Sequence, residues 1–597
     1  MPRWELRAGV TSSRSDRKPY AVLDVETDGL RGPLVWWTAT CECPGDHYAE
    51  GTDAESLWDW ILRHESRDHA NREHVWWAHS GGEYDYVYLL NSARASARAR
   101  EAEIAIMQSG SRVIGFKVTQ GHHRTDLRDS YALLPASLER LAASFAPDLP
   151  KLDIGLHDGQ RFDPSSPVHR AYARRDVESL LAVLIRFRSI LAEEFKGTMP
   201  SWTGASTALR AWQQTIPEGT AYRPGHGRAD AIARAGYYGG LVHLGDVAQH
   251  GPAVTVDANS MYPTAMRDGG VPIGWARPVV RYRPDLPGMY VVAVDVPTST
   301  PFTFIPYRAG GRLAWPTGTF PTVLTSIEIE AARARGIRVK VRRGVVWESI
   351  GHPFSEFVGQ VERLRARGGA YGDVGKFLGN SLYGRFGMRP THEEWRIDGN
   401  DPGAGWQPAS PDGMDESLDG IWTRQSETHH PCMLPHWAAW ITATARLRLL
   451  EYAEAIGAGS IIYTDTDSLT ADAALIDAAI ETGRLDIGPA FGQVKVEKRW
   501  TTFKVEAPKV YSGLLPLPAG YVGPPGPAWT AKGIRRELRP AAFAGETVAW
   551  DSPNGAIHVL RGAPMMTRRE RRLSRIENSA GWVAGPSGSV RPVHMAS

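Results

Sequence analysis

Gly459-Ser460-Ile461-Ile462-Tyr463-Thr464-Asp465-Thr466-Asp467-Ser468-Leu469-Thr470 is the stretch on which the reading of this chain turns. Ile461 and Ile462 form an apolar lead-in that predicts a buried strand. The strand runs into Tyr463 and then into two carboxylates one residue apart, interleaved with Thr and Ser as at the tip of a tight hairpin. Strand alternation predicts that Asp465 and Asp467 share one side of the backbone. Two adjacent anions repel each other, so folding alone supplies no reason to put them there; divalent cations supply one. An Asp-rich turn is the competing reading, and the rest of the chain decides between the two.

The 597 residues are enough for several domains, with 42% hydrophobic and 22% charged residues, ordinary globular values. The net charge of +2, from 68 Lys and Arg against 66 Asp and Glu, neither demands nor excludes a nucleic-acid partner. Clustered acids that hold metals would hide a basic groove in the total. Three cysteines, Cys41, Cys43 and Cys432, cannot build a disulfide framework and read as reduced thiols. The Cys-x-Cys spacing is a weak metal signal. No run of 18 apolar residues suggests a membrane span, and Met-Pro-Arg-Trp-Glu lacks a signal-peptide core. A reducing cytoplasm is the expected compartment.

In the first third, Tyr20 to Leu23 predicts a buried strand ending in Asp24-Val25-Glu26-Thr27, with Asp24 and Glu26 on one face. Two acids on one strand face are costly without a cation or water. Val75 to His79 is again strand-like, and Tyr84 to Leu90 starts a helix with Asp85 in its first turn. Ser137 to Phe145 has helical spacing, Lys151-Leu152-Asp153-Ile154 follows a proline, and Val168 to Phe195 predicts a long helix. On that helix Tyr172 and Asp176 stand at i and i+4, a phenol and a carboxylate on one face. Four carboxylates able to converge suit two divalent cations.

This constellation resembles the proofreading 3′→5′ exonuclease domain of DNA polymerases. The resemblance implies that Asp24, Glu26, Asp85 and Asp176 hold two Mg²⁺ or Mn²⁺ ions. It also implies that Tyr172 orients the attacking water and that Lys151 stands beside the scissile phosphate. The chain differs from the family in having His79-Ser80-Gly81-Gly82-Glu83 where an asparagine is usual, and Ser130-Tyr131 where a Ser/Thr-Leu pair is usual. Both positions grip the frayed single strand in the family, which makes Ser130 a DNA-binding candidate.

Beyond it, Ser206 to Trp212 predicts a short helix, and Tyr237-Tyr238-Gly239-Gly240 precedes a strand-like Leu241 to Leu244. Paired glycines permit close backbone approach, and a tyrosine can pack on a sugar or base. Val254-Thr255-Val256-Asp257 predicts a strand that delivers one Asp, followed by a turn ending in Tyr262-Pro263. Lys376, Asn380 and Tyr383, at i, i+4 and i+7 of a predicted helix, share a face: a cation, an amide and an aromatic. With Tyr463 to Ser468 they resemble, in order, the three polymerase motifs of family B DNA polymerases. Tyr237-Tyr238-Gly239-Gly240 resembles that family's template-guiding element, and Lys509-Val510-Tyr511 its primer-holding one.

The resemblance implies an α/β and α+β multidomain chain: an RNase H-like exonuclease domain, residues 1–195, then a right-hand polymerase, residues 196–597. The palm would take about 196–350 and 430–505, the fingers about 351–390 and the thumb about 506–597. The Gly/Pro/Asp-rich stretch at roughly 390–430 reads as an inserted loop. Asp257 and Asp467 would share two metal ions with Asp465 close by, and Lys376 would neutralise triphosphate charge. Tyr262 would exclude a 2′-hydroxyl, Asn380 and Tyr383 would line the nucleotide pocket, and Tyr237, Gly239, Gly240, Lys509 and Tyr511 would contact DNA.

The compact length, with extra segments between the motifs, resembles the protein-primed branch found in phages and linear plasmids. That implies primer-template DNA, dNTPs and a terminal protein as partners of a monomeric, strand-displacing enzyme without a membrane partner, in a bacterial cytoplasm if phage-encoded. A DNA-primed repair or mobile-element polymerase and a non-catalytic DNA-binding protein that keeps the fold are the alternatives. Residues 514 to 527 read as a loop, Arg568 to Arg575 as a phosphate-contacting stretch or a solvated helix face, and Gly585 to Ser597 as disordered.

Overall fold

Tyr20–Thr27 is the strand about which the N-terminal third is built. Tyr20, Ala21, Val22, Leu23 and Val25 are all buried, as a strand covered on both faces requires. In this computed structural model it pairs antiparallel with Leu34–Cys41 and parallel with Val75–Ala78, which pairs parallel with His123–Asp129. The residues described are 6–7, 18–29, 32–43, 45, 47–67, 74–93, 95–96, 99–109, 112–155, 161–218, 220–245, 248–309, 311–410, 418–516, 526–573, 582–584 and 590–592. The predicted helices form as Asp85–Ala93, Leu138–Phe145 and Pro167–Glu194. Ser137 and Ser166 cap the second and third, each accepting from a backbone N–H of the first turn. The long helix lies on Tyr20–Thr27 and Leu34–Cys41 and so carries Asp176 to the central strand.

The stretch read as an inserted loop is instead a β-structure that extends the N-terminal sheet. Thr391–Ile397 pairs with Ile421–Glu427 and also with Glu103–Ser109, placing Trp395 opposite Ile106. The Gly, Pro and Asp residues that suggested a loop lie in the connection, while the strands bury Trp395, Ile397 and Ile421. Helix Ala556–Leu560 joins the same core and packs against Asp85–Ala93. Two segments distant in sequence therefore close onto the N-terminal unit.

A second sheet, wholly antiparallel, has the order Val242–Leu244, Ile461–Asp465, Ser468–Asp472, Ala253–Ala258, Val494–Trp500. The predicted turn at Tyr262-Pro263 is the first turn of helix Met261–Asp268. Proline is tolerated there because the first N–H groups of a helix have no intrahelical partner. Helices Ser355–Arg367 and Gly369–Phe386 form a hairpin, turned at Gly368 (φ 67°) and Gly369 (φ 51°), left-handed angles that glycine adopts without strain. Helix Ser326–Ala334 packs on a four-stranded sheet in the segment between Asp257 and Lys376.

The largest core cluster runs from Val22 and Leu180 through Trp212 to Trp437 and Phe386, so the units on either side of residue 195 share a continuous interior. At the far end, the loop expected over 514–527 lies mostly outside the described residues. The basic stretch is an exposed strand rather than a helix over Met566–Arg571, paired with Val548–Pro553. Ser574 and Arg575 lie outside the described residues, as does the C-terminal stretch except Val590–Pro592, a strand paired with Trp582–Ala584. Among the described residues no helix is long and apolar enough to cross a membrane.

One core group makes acid stability testable. His436 is 2% exposed, stacks on Trp347 at 4.8 Å, and is lowered by burial to about 3. Below the ordinary histidine value the unfolded chain takes up a proton that the folded chain refuses, so stability falls as pH drops from about 6.5 towards 3. Between pH 7 and 5, wild type is expected to lose about 2 kcal/mol more than His436→Phe in denaturant unfolding. Equal acid sensitivity would contradict this.

Candidate active sites

The central strand ends in the first site. Asp24 and Glu26 project from Tyr20–Thr27, Asp85 from the start of its helix, and Asp176 from the second turn-pair of the long helix. Asp85 is anchored by the Val25 N–H, which donates to Oδ1 at 2.9 Å. Burial, and then the neighbouring charges of Asp85, Glu26 and Asp176, push the Asp24 carboxyl well up. Burial and Asp176 push Glu26 up to about 8. Burial raises Asp176 as well, against Lys151, whose Nζ donates to Oδ2 at 2.6 Å. Lys151 also lies 4.9 Å from the Tyr172 ring centroid. The sheet thus brings together all six predicted residues: Asp24, Glu26, Asp85, Asp176, Tyr172 and Lys151.

Ser130 is placed differently from the DNA-binding expectation. It is fully buried, and its Oγ is 2.9 Å from His79 Nδ1. The partly exposed member of the pair is Tyr131, over which the Arg112 guanidinium lies at 4.6 Å. His79, in the departing segment, is lowered by burial to about 4. A Cβ on Gly82 would meet Val113 O at 1.7 Å, so the backbone approach of this segment leaves room only for glycine.

The second site lies at the rim of the antiparallel sheet. Ile461–Asp465 and Ser468–Asp472 form the predicted hairpin, but the strand ends at Asp465. Asp467 is therefore a turn residue, and alternation does not relate it to Asp465. The two acids take different partners: Lys509 Nζ donates to both Asp465 oxygens at 2.7 and 2.6 Å, while Asp257 is the strongest carboxylate influence on Asp467, ahead of Asp465. Burial and then Asp257 push the Asp467 carboxyl up to about 6. Ala258 N–H donates to Asp467 O at 2.8 Å, fixing the turn to the Asp257 strand. Lys495 Nζ donates to Asp257 Oδ1 at 2.5 Å.

Around these acids, Tyr262 and Tyr383 stack with centroids 4.1 Å apart. Lys376 and Asn380 are exposed on the same helix. Burial, followed by Arg140 and Arg365, lowers the Lys376 ammonium, as expected beside other cations and favourable for a polyanion. Tyr511 packs 5.7 Å from Tyr463. Gly240 lies so close to the Asp465–Asp467 turn that a Cβ there would meet Thr466 at 2.7 Å, and Thr466 N–H donates to Leu241 O at 2.8 Å.

Three structural residues escaped the sequence reading. Lys495 sits among alternating charges on Val494–Trp500, and nothing in that pattern singles it out. Arg446 and Glu328 are 1% and 2% exposed and paired at 2.6 Å. Arg446 Nη1 also donates to Tyr238 O at 3.2 Å and Gly239 O at 2.9 Å, so this ion pair holds the Tyr-Gly-Gly turn.

Oxygen donors crowded until their acidities fall are a donor set that divalent cations fit. One buried oxygen, Asp176 Oδ1, has no hydrogen-bond partner. Lysines at Asp176, Asp257 and Asp465 occupy oxygens that cations would otherwise take.

Two sheets, each with its own acid cluster, are thus joined through one continuous core. The family of DNA polymerase type B, organellar and viral, matches residues 167–464. The chain is 26% identical over 308 residues to a probable DNA polymerase of Neurospora intermedia, covering 48% of this chain and 31% of that protein. It is 25% identical over 478 residues to the DNA-directed DNA polymerase of Enterobacteria phage PRD1, covering 75% and 76%. To the DNA polymerase of Bacillus phage phi29 it is 23% identical over 388 residues, covering 60% and 62%. The chain thus spans about a third of the fungal relative and under two thirds of the phi29 one. The structure of phi29 DNA polymerase with primer-template DNA and incoming nucleotide has the same fold: TM-score 0.73 and 16% identity over 93% of this chain and 100% of that one. The chain is similar to family B DNA polymerases, among them those of phages PRD1 and phi29, and shares the fold of the phi29 enzyme. DNA polymerases of this family use divalent metal ions.

The buried ion pair yields a stability test. Arg446→Met strands Glu328 in the core and is expected to cost about 3–5 kcal/mol in denaturant unfolding. A loss below about 1 kcal/mol would mean that the pair does not hold the turn.

Proposed function

We propose that this chain is a template-directed DNA polymerase with a separate 3′→5′ proofreading exonuclease. The observation that carries the reading is the meeting of Asp257 and Asp467 at the rim of one sheet, with Asp467 pushed up to about 6 while a second acid cluster occupies another sheet. In the polymerase site a primer 3′-hydroxyl oxygen bonds to the α-phosphorus of a dNTP, the bond to the bridging oxygen breaks, and pyrophosphate leaves. Two Mg²⁺ or Mn²⁺ ions, held by Asp257 and Asp467 with Asp465 adjacent, would lower the hydroxyl pKa and offset phosphate charge.

Lys376 meets the triphosphate as a cation already crowded by others, and developing negative charge there relieves that crowding. Tyr262 and Tyr383 stack into a wall, against which sugar and base would pack and which would exclude a 2′-hydroxyl. Asn380, one turn from each of its partners, offers an amide to the same nucleotide. Lys509 and Tyr511 hold the primer strand, and Tyr237, Gly239 and Gly240 guide the template.

In the exonuclease site, Asp24, Glu26, Asp85 and Asp176 hold the corresponding cations, Tyr172 orients a water and Lys151 meets the scissile phosphate. Ser130 acts there by fixing His79 rather than by touching DNA. We assign residues 1–195 to the exonuclease and 196–597 to the polymerase, with 390–430 as a β-insertion on the exonuclease sheet. That insertion and helix Ala556–Leu560 both rest on the exonuclease unit, a closure that favours processive, strand-displacing synthesis by a monomer. Similarity to the phage enzymes favours initiation on a terminal protein in a bacterial cytoplasm. A DNA-primed role would be favoured by normal extension of DNA primers without nucleotide transfer to any protein hydroxyl.

Separation of the two activities is the test. Asp467→Ala is expected to lower primer extension by at least about 1,000-fold while 3′→5′ degradation continues. Asp24→Ala with Glu26→Ala is expected to do the reverse. Loss of both activities in either variant, with the fold intact by circular dichroism, would sink the two-site reading.

A further inference from the structure

We propose that Cys41, Cys43 and His74 form a zinc site at the end of the N-terminal sheet opposite its carboxylates. The sequence offered only a Cys-x-Cys; the fold adds a histidine 31 residues beyond Cys43. One ligand atom from each residue lies within 4.8 Å of the other two, the one such group of three His, Cys, Asp or Glu among the described residues. Cys43 Sγ is 2.9 Å from His74 Nε2. The three are 7%, 8% and 0% exposed, so they form an enclosed site rather than a surface coincidence.

The topology explains how they meet. Cys41 ends the strand Leu34–Cys41, and Ala21 pairs with it. Glu42 N–H donates to Tyr20 O at 2.8 Å, and Tyr20 pairs on its other side with Val75. The residue before Val75 is His74. Segments flanking the start of the central strand thus converge over it. Asp24 lies four residues further along the strand, about 13 Å at 3.3 Å per residue. This separation keeps a soft-metal site apart from the oxygen-donor one.

The chemistry selects the ion. Two sulfurs and an imidazole nitrogen suit zinc and reject magnesium. On binding, both S–H protons leave to solvent, two Zn–S bonds and one Zn–N bond form, and a water completes the tetrahedron. Two thiolates balance the dication, so the buried site carries no net charge, the condition under which ions are tolerated in a core. Its role is structural. Between the two cysteines, Glu42 accepts from Tyr20 N at 2.9 Å and from Arg188 of the long helix at 2.9 Å. A metal there locks the joint between the sheet and the helix that bears Tyr172 and Asp176.

The test uses the untagged, full-length protein, expressed with added zinc and dialysed against magnesium buffer with reductant. Elemental analysis is expected to find about one zinc per chain in wild type and in Cys432→Ser, and under a tenth of that in Cys43→Ser. Replacing zinc by Co²⁺ in wild type is expected to give a thiolate-to-cobalt charge-transfer band, a readout that stands even if Cys43→Ser does not fold. Wild type without zinc, copper in its place, a Cys41–Cys43 disulfide, or zinc retained by Cys43→Ser would each overturn the proposal.

Discussion

Like charges held close together govern this molecule. Carboxylates repel, and a fold that sets Asp257 against Asp467, and Asp24 against Glu26, Asp85 and Asp176, must fix them from the backbone side. Both clusters solve this in the same way. The acids leave strands, helices or the turn between two strands whose other residues are largely buried, and neighbouring strands fix the register. Lysines then offset part of the charge: Lys151 at Asp176, Lys495 at Asp257 and Lys509 at Asp465. Asp24, Glu26, Asp176 and Asp467 stay raised all the same, and a divalent cation gains most from such a cluster.

The backbone around these acids is itself strained. Among the described residues, five non-glycine positions have positive φ, and three of them are Ser260, Thr466 and Lys509, beside Asp257, Asp467 and Asp465 respectively. A fourth, Ser80, stands in the segment behind Ser130. Each costs of order 1–3 kcal/mol and persists only where its surroundings over-determine it. The Arg446–Glu328 pair is part of that surrounding, because it ties the Tyr-Gly-Gly turn, which lies on Thr466, to helix Ser326–Ala334. A deeply buried ion pair thereby reaches the reactive turn through a single intervening loop.

Much of this was legible in the chain. Apolar runs marked Tyr20–Thr27 and Ile461–Asp465, which are buried on both faces, and helical spacing marked Pro167–Glu194 and Gly369–Phe386. The 390–430 stretch was misread because its composition is that of its connection, whereas its strands gain their stability from Glu103–Ser109, nearly 300 residues away in sequence. The basic stretch after Arg568 was open between readings for a like reason, since its partner Val548–Pro553 decides strand over helix. Asp465 and Asp467 were legible as residues but not as geometry. A turn at Thr466 ends the alternation, and only the fold reveals that Lys509 takes one acid and Asp257 influences the other. Ser130 became a DNA-binding candidate through resemblance alone, and no local pattern records its contact with His79.

The central claim is a self-sufficient DNA-synthesising enzyme, and one assay addresses it directly. A labelled primer is annealed to circular single-stranded DNA and incubated with this protein, Mg²⁺ and dNTPs, without helicase or clamp. Products many circles long are the predicted result, because synthesis past one circle requires both polymerisation and displacement of the strand just made. Complete absence of extension, with template binding retained, would contradict the account and make the chain a binding protein that keeps a polymerase fold.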